Sequence, residues 1–147
     1  MKFKNKLKFL IIIFSVFISI AWLSQTVVNV DPVKDNDSIT LYFQISEGFG
    51  VQKEGPHKIE VYQLSKDHSK TEDIKEKISK YGKKIDSKEK FVGHTASADE
   101  DYFDNLDPLV FKQKQFKTGE FAVKAVIYYC SFSDKFCSAQ KIEKLVE

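Results

Sequence analysis

The chain has 147 residues, is 42% hydrophobic and carries a formal charge of +2 at pH 7. Such a length accommodates one domain plus a leader. Every one of its 23 Lys+Arg residues is a lysine, and these are interspersed with 21 acids. No basic stripe of the kind that nucleic acid or an anionic membrane surface requires is present, so nucleic acid is excluded as a partner.

The leader is the first element. MKFKNKLK carries four lysines and no acid, and Phe9 to Leu23 (FLIIIFSVFISIAWL) is an apolar run interrupted only by Ser15 and Ser19. A basic segment before about 15 apolar residues fits a secretory signal. The best cleavage pair, Ser19 and Ala21, is followed by bulky Trp22. Counted on to Val30, about 22 residues would span a bilayer as an uncleaved anchor. Residues 1–30 are therefore expected to be a signal peptide or signal anchor, formed as one hydrophobic helix. The positive-inside rule keeps the lysines in the cytoplasm and exports residues 31–147. The expected location is periplasmic or otherwise extracytoplasmic, secreted or held at the inner membrane by that helix. Without the four leader lysines the +2 becomes −2.

DPVKDND, residues 31–37, reads as a polar linker, and residues 38–147 as the domain. Ser38 to Ser46 alternates, with Ile39, Leu41, Phe43 and Ile45 on one side, as a half-buried strand does. Glu47 to Pro56 is punctuated by glycines and reads as a turn region. His57 to Leu64 is a second strand. Ser65 to Lys90 is rich in Lys, Asp, Glu and Ser. Ser69 and Glu72 have capping-box spacing, and Ile74, Ile78 and Tyr81 follow at helical spacing. These predict a short amphipathic helix ending at Gly82, within a segment that otherwise reads as a solvated insertion.

Lys90 to Thr95 is a short strand or loop edge. Residues 96–108 form an acidic loop carrying Tyr102, Phe103 and Leu106. Leu109 to Phe116 alternates again, and KTGE turns the chain. FAVKAVIYY is the most apolar strand and runs into Cys130, and SAQKIEKLV returns after Cys137 as its partner. Six or seven strands with one short helix predict an all-β, antiparallel β-sandwich.

Cys130 and Cys137 are the only cysteines. They stand too close in sequence to bridge two sheets and fall at the feet of one hairpin loop, SFSDKF. If the flanking strands pair, the Cβ atoms oppose each other about 4.5 Å apart, a separation suited to a disulfide. An exported location favours oxidation. Closing a loop of about eight residues contributes only roughly 2.5 kcal/mol. Two cysteines supply half a tetrahedral zinc site, and His57, His68 and His94 are scattered, so no metal or other cofactor is expected. Two readings stay open: a structural staple, or a redox pair.

Gly119 to Cys137 resembles the last strand pair of the N-terminal periplasmic domain of the thiol–disulfide interchange protein DsbD. It is also similar to the C-terminal β domain of proteins in which NHL repeats follow a thioredoxin domain. Leu41 to Val61 is similar to the early hairpin of that family, and Glu89 to Gly93 to its Phe-x-Gly cap loop. The resemblance implies an immunoglobulin-like domain that passes electrons from a membrane reductase to oxidised partners. Cys130 and Cys137 would cycle between dithiol and disulfide, Phe91 would cap the sulfurs, and Glu89 would act as the nearby acid/base.

The departures are a loop one residue longer, Ser138-Ala139 in place of prolines, and Val92 in place of a cap aromatic. With no electron channel or thioredoxin domain fused to it, the chain is expected to use a separate membrane electron donor or thioredoxin-like protein. The expected function is extracytoplasmic thiol–disulfide exchange, a protein-disulfide reductase-like role. The alternative is a non-enzymatic interaction module with a structural disulfide, acting through Tyr102 and Phe103. A third class is an accessory subunit of a membrane complex, held by its N-terminal helix. Within the loop, Lys135 would favour a thiolate and Asp134 would oppose it.

Overall fold

Alternating burial organises the first pair of strands. β1 (Val28–Asp35) turns inward at Val28, Val30 and Pro32, and β2 (Ser38–Ile45) at Ile39, Leu41 and Phe43. The two pair antiparallel from Val28–Ile45 to Asp35–Ser38. β8 (Leu109–Lys112) pairs with the other side of β2 and completes a three-stranded sheet. Pro32 is accommodated because β1 is an edge, where one side of the strand has no ladder to serve. The computed structural model describes residues 26–65 and 73–146. Residues 1–25 of the expected leader helix and the Ser69–Glu72 capping box lie outside the described residues, whereas Val28 to Val30, expected as the end of that helix, are strand.

The second sheet is built on β9 (Glu120–Ser131). β10 (Cys137–Val146) pairs along one side of it, from Phe121–Val146 to Cys130–Cys137. The other side is shared. β4 (Lys58–Leu64) takes Glu120 to Val126, and β3 (Phe49–Gln52) takes Tyr129 to Ser131. β5 (Gly82–Lys88) extends the sheet beyond β4, while β7 (Tyr102–Leu106) and β6 (Gly93–Thr95) extend it beyond β3.

Inward residues of the two sheets meet in one core. Val28, Val30, Ile39, Leu41, Phe43 and Phe111 from the first sheet pack against Val51, Ile59, Val61, Val123, Ala125 and Ile127 of the second. Phe116 and Phe121, in edge-to-face contact at 5.3 Å, close one end of it. The arrangement is an antiparallel β-sandwich. On the opposite face of the larger sheet, α1 (Ile74–Tyr81) sets Ile78 and Ile74 against Leu64, Ala122 and Tyr62. It is a docked helix, not a free-standing charged insertion, and Gly82 follows it directly into β5. Beside this patch the buried Glu60 carboxylate accepts bonds from Lys58, Lys84 and Tyr62 at 2.9–3.2 Å.

Several expectations change. The linker expected over residues 31–37 is not a tether, because residues 31–35 complete β1 and residues 36–37 turn the chain into β2. The domain therefore begins before residue 31, with Val27, Val28 and Val30 buried in its core. The turn region contains β3, the charged segment contains β5, and the acidic loop contains β7. Leu109 to Phe116 is strand only to Lys112 and then forms a 3₁₀ turn, Lys114–Lys117. Among the described residues there are ten strands, and no helix is long and apolar enough to cross a membrane.

The sandwich closes at one edge through a side chain. Gln140 of β10 accepts bonds from the N–H groups of Val27 and Val28, each at 3.0 Å. Its own amide donates to the Val28 carbonyl at 2.7 Å. This replaces the ladder that β1 and β10, belonging to different sheets, do not form. Leaving buried main-chain groups without partners is costly, so Gln140→Leu should destabilise the domain by roughly 2–4 kcal/mol in chemical denaturation. Hydrogen exchange should show the loss of protection concentrated in β1. Lys144→Ala, which removes only the exposed contact to Asn29, should change stability by less than about 0.5 kcal/mol.

Candidate functional site

The disulfide joins Cys130 and Cys137, which are directly opposed across β9 and β10 with Cα atoms 4.0 Å apart. Donation from the Ser131 N–H to the Phe136 carbonyl marks the neighbouring pair as hydrogen-bonded. The cysteines are thus a non-hydrogen-bonded pair, the position where side chains lie closest. Phe121, Val123, Ala125, Ile127 and Tyr129 face the core, so Cys130 points to the outer face of the sheet. The bridge is set on that face and takes no part in the inter-sheet core.

The two sulfurs have different surroundings. Cys130 is 4% exposed, whereas Cys137 is exposed. The Gln52 amide donates to Cys130 Sγ at 3.1 Å. A cavity of about 500 Å³ opens at the bridge, lined also by Asp99, Tyr102, Phe132 and Lys135. Phe132 meets Tyr102 edge-on at 5.8 Å and lies over Gly50, which stands opposite Cys130 on β3. A Cβ at Gly50 would come 2.6 Å from the Phe132 ring. The glycine therefore makes room for an aromatic beside the sulfurs. On the core side of the same strand, Phe136 packs edge-on against Phe49.

The hairpin loop is tied back by its own serine. Ser131 Oγ accepts from the Asp134 N–H at 3.2 Å and donates to the Asp134 carboxylate at 3.4 Å. Asp134 is thereby turned into the loop, while Lys135 lines the cavity. Of the two opposed charges, the lysine is the one presented beside the bridge.

Phe91 and Glu89 stand elsewhere. Phe91 is buried in the inter-sheet core, edge-on to Phe43 at 5.2 Å and to His57 at 4.9 Å. Glu89 is exposed and lines a separate groove of about 380 Å³ with His57, Lys53 and Lys90. The structure brings the two cysteines together and groups neither Phe91 nor Glu89 with them in the disulfide cavity. Tyr102 and Phe103, expected as exposed aromatics, are half-buried. Tyr102 lines the disulfide cavity, and Phe103 packs on the core beneath the Lys53 ammonium. Gln52, Phe132 and Tyr102 are the neighbours that sequence reasoning missed. Only the glycine-aromatic stretch around Gly50 hinted at a close approach there.

His57 holds β3 and β4 to β9. Between the residues that β4 and β3 pair, β9 presents the Tyr128 N–H, which donates to His57 Nδ1 at 3.2 Å. With Nδ1 accepting, the proton lies on Nε2, which donates to the Gln52 carbonyl at 2.6 Å. The imidazole thus fills a gap in the ladder as its neutral form. Burial lowers its pKa below the ordinary 6.5, against the raising effect of the bond to Gln52. Burial also pushes the Glu60 carboxyl upward, but bonds from Lys58, Tyr62 and Lys84 outweigh it and hold the pKa below 4.5. Tyr62, buried and bonded to that carboxylate, is pushed up to about 12.

Both His57 and Glu60 have folded pKa values below their unfolded ones, so each stabilises the fold above its unfolded pKa and less as pH falls. Stability should therefore decline in two steps, one beginning near pH 6.5 for His57 and one near 4.5 for Glu60. Denaturant melts of His57→Gln across pH 5–7 should show the first step flattened; a step that survives would place it elsewhere. The cover over the bridge predicts a second contrast. Phe132→Ala should speed reduction of the disulfide by a small water-soluble thiol several-fold. Phe91→Ala should leave that rate unchanged under native conditions and cost about 3–5 kcal/mol of stability as a core truncation. No protein-family model matches the sequence, and neither curated proteins nor solved structures yield a match.

Proposed function

We propose that this domain carries out extracytoplasmic thiol–disulfide exchange through Cys130 and Cys137. The observation that carries the reading is the asymmetry of the bridge: Cys137 is an exposed residue at a cavity, and Cys130 is a buried one with an amide donor on its sulfur. Exchange proceeds by thiolate attack on one sulfur of a disulfide and departure of the other. An incoming thiolate has access to Cys137 Sγ. Cys130 then leaves as a thiolate, with the electron pair of the broken bond stabilised by the Gln52 N–H and the positive charge of Lys135. In the reducing direction the Cys137 thiolate attacks the disulfide of an oxidised partner. Cys130 then resolves the mixed disulfide, releasing the partner's second sulfur as a thiol. A dithiol protein, membrane-bound or thioredoxin-like, restores the reduced pair.

The β-sandwich and its terminal cysteine hairpin support an immunoglobulin-like domain resembling the N-terminal domain of DsbD. Phe132 and Tyr102, which flank the bridge, take the shielding part for which the resemblance nominated Phe91. Burial of Val27, Val28 and Val30 in the core removes them from the leader's apolar run. The remainder, Phe9 to Leu23, is about 15 residues, short for a bilayer of about 20 and fitting for a signal segment. That favours export with cleavage over a spanning anchor.

The reduction potential of the bridge tests the proposal. A value above about −300 mV is expected, and one below it, as inert structural bridges have, would overturn the redox role. The single variants should also differ. Cys130→Ala leaves the exposed Cys137 thiol, which should form a mixed disulfide readily. Cys137→Ala leaves the buried thiol, which should react at least about tenfold more slowly with an alkylating probe.

A further inference from the structure

The register of β10 fixes where its main-chain groups point. Since Cys130–Cys137 is a non-hydrogen-bonded pair, the N–H and C=O of Cys137, and two residues on those of Ala139, turn away from β9. Among the described residues β10 pairs with β9 alone. Among the described residues nothing bonds these outward groups at Cys137 and Ala139. Cys137, Ser138 and Ala139 are all exposed and all small, so a second backbone can approach closely. The unpaired edge and the reachable sulfur belong to the same residue. Farther along β10 the edge is different: Gln140 and Lys144 reach across to β1.

We infer that the free edge of β10 at Cys137–Ala139 receives an extended, cysteine-bearing segment of the exchange partner, paired as an added strand. This rests on the exchange reading above and specifies how that site selects its substrate. The occupant is a strand because the outward N–H and C=O groups are offered at the two-residue spacing that a strand's own groups match. It bears a cysteine because a segment seated there runs past Cys137 Sγ. Main-chain pairing contributes affinity with little demand on sequence, and the small residues at Ser138 and Ala139 leave the edge open to varied side chains. In the exchange step the segment's thiolate attacks Cys137 Sγ and the Cys130–Cys137 bond breaks. Cys130 departs with the electron pair and is later protonated from water, leaving a mixed disulfide between Cys137 and the segment.

The test uses the full chain in its oxidised form and three probes: an acetylated Thr-Val-Cys-Val-Thr amide, the same peptide N-methylated at all five residues so that no N–H can pair with β10 in any register, and N-acetylcysteine amide. Rates of mixed-disulfide formation are compared per thiolate. The unmodified peptide should react about tenfold faster than the small thiol, as two main-chain bonds allow, and N-methylation should abolish the advantage. Ala139→Pro removes an outward N–H that the β9 ladder does not use, and should also abolish the advantage while leaving the rate with the small thiol unchanged. Equal rates for peptide and small thiol would overturn the edge proposal while leaving exchange standing. A bridge inert to all three would overturn both. Sedimentation of the same samples identifies the other occupant: if Ala139→Pro dissolves a dimer without altering the peptide advantage, the edge joins two copies of this chain and the inference fails. Should that variant melt far below the parent, the N-methylated peptide alone decides.

Discussion

Everything on the larger sheet depends on how the two sides of β9 are used. One side is committed to β10 over its full length. The other is divided between β4 and β3, which arrive in line and leave Tyr128 between them. A main-chain donor left unpaired at that position would weaken the most apolar strand of the fold. The His57 imidazole resolves the problem by accepting there and donating to Gln52, so a side chain substitutes for one rung of the ladder. The same bond fixes the end of β3, and with it Gln52, whose side chain touches Cys130. The protonation state of one imidazole and the setting of the disulfide are therefore parts of a single arrangement.

The disulfide is remote from what holds the sandwich together. The core is a layer of valines, isoleucines and phenylalanines between the sheets, while the bridge sits on the far face within one hairpin. Burying a single large apolar side chain contributes about 1.5–3 kcal/mol, comparable to what a short closed loop adds through the unfolded chain. More than a dozen such side chains stand in the core, so most of the apolar burial that joins the two sheets lies away from the bridge.

Legibility in the sequence followed burial on one face. β2, β4, β9 and β10 show alternation or a long apolar run, and their pairing follows from the turns between them. β1 alternates as well, at Val28, Val30 and Pro32, but the apolar leader and the acids of DPVKDND obscured the pattern. β3 is four residues between glycine-rich turns, too short to display a period. β5 and β7 present mostly charged or half-buried residues, because they lie toward the sheet's margins. At the site, adjacency of the cysteines was readable from spacing, since residues at the two feet of one hairpin loop come opposite each other when its strands pair. Their neighbours were not. Gln52, Tyr102 and Phe132 converge from three separate elements, and nothing local distinguishes an aromatic on the outer face from Phe91 in the core.

The Gln140 contact also bears on the order of assembly. It joins Val27 and Val28 to a residue 113 and 112 positions later, and the exposed bond from Lys144 to Asn29 spans a similar separation. Contacts of such separation close late, because the intervening chain must first be ordered. The β9–β10 ribbon, by contrast, is a local hairpin and can form as soon as its own residues are free. A chain threaded outward from its N-terminus would thus present β1 first and the strand that secures it last. That edge of the sandwich would stay open until the last strand is in place.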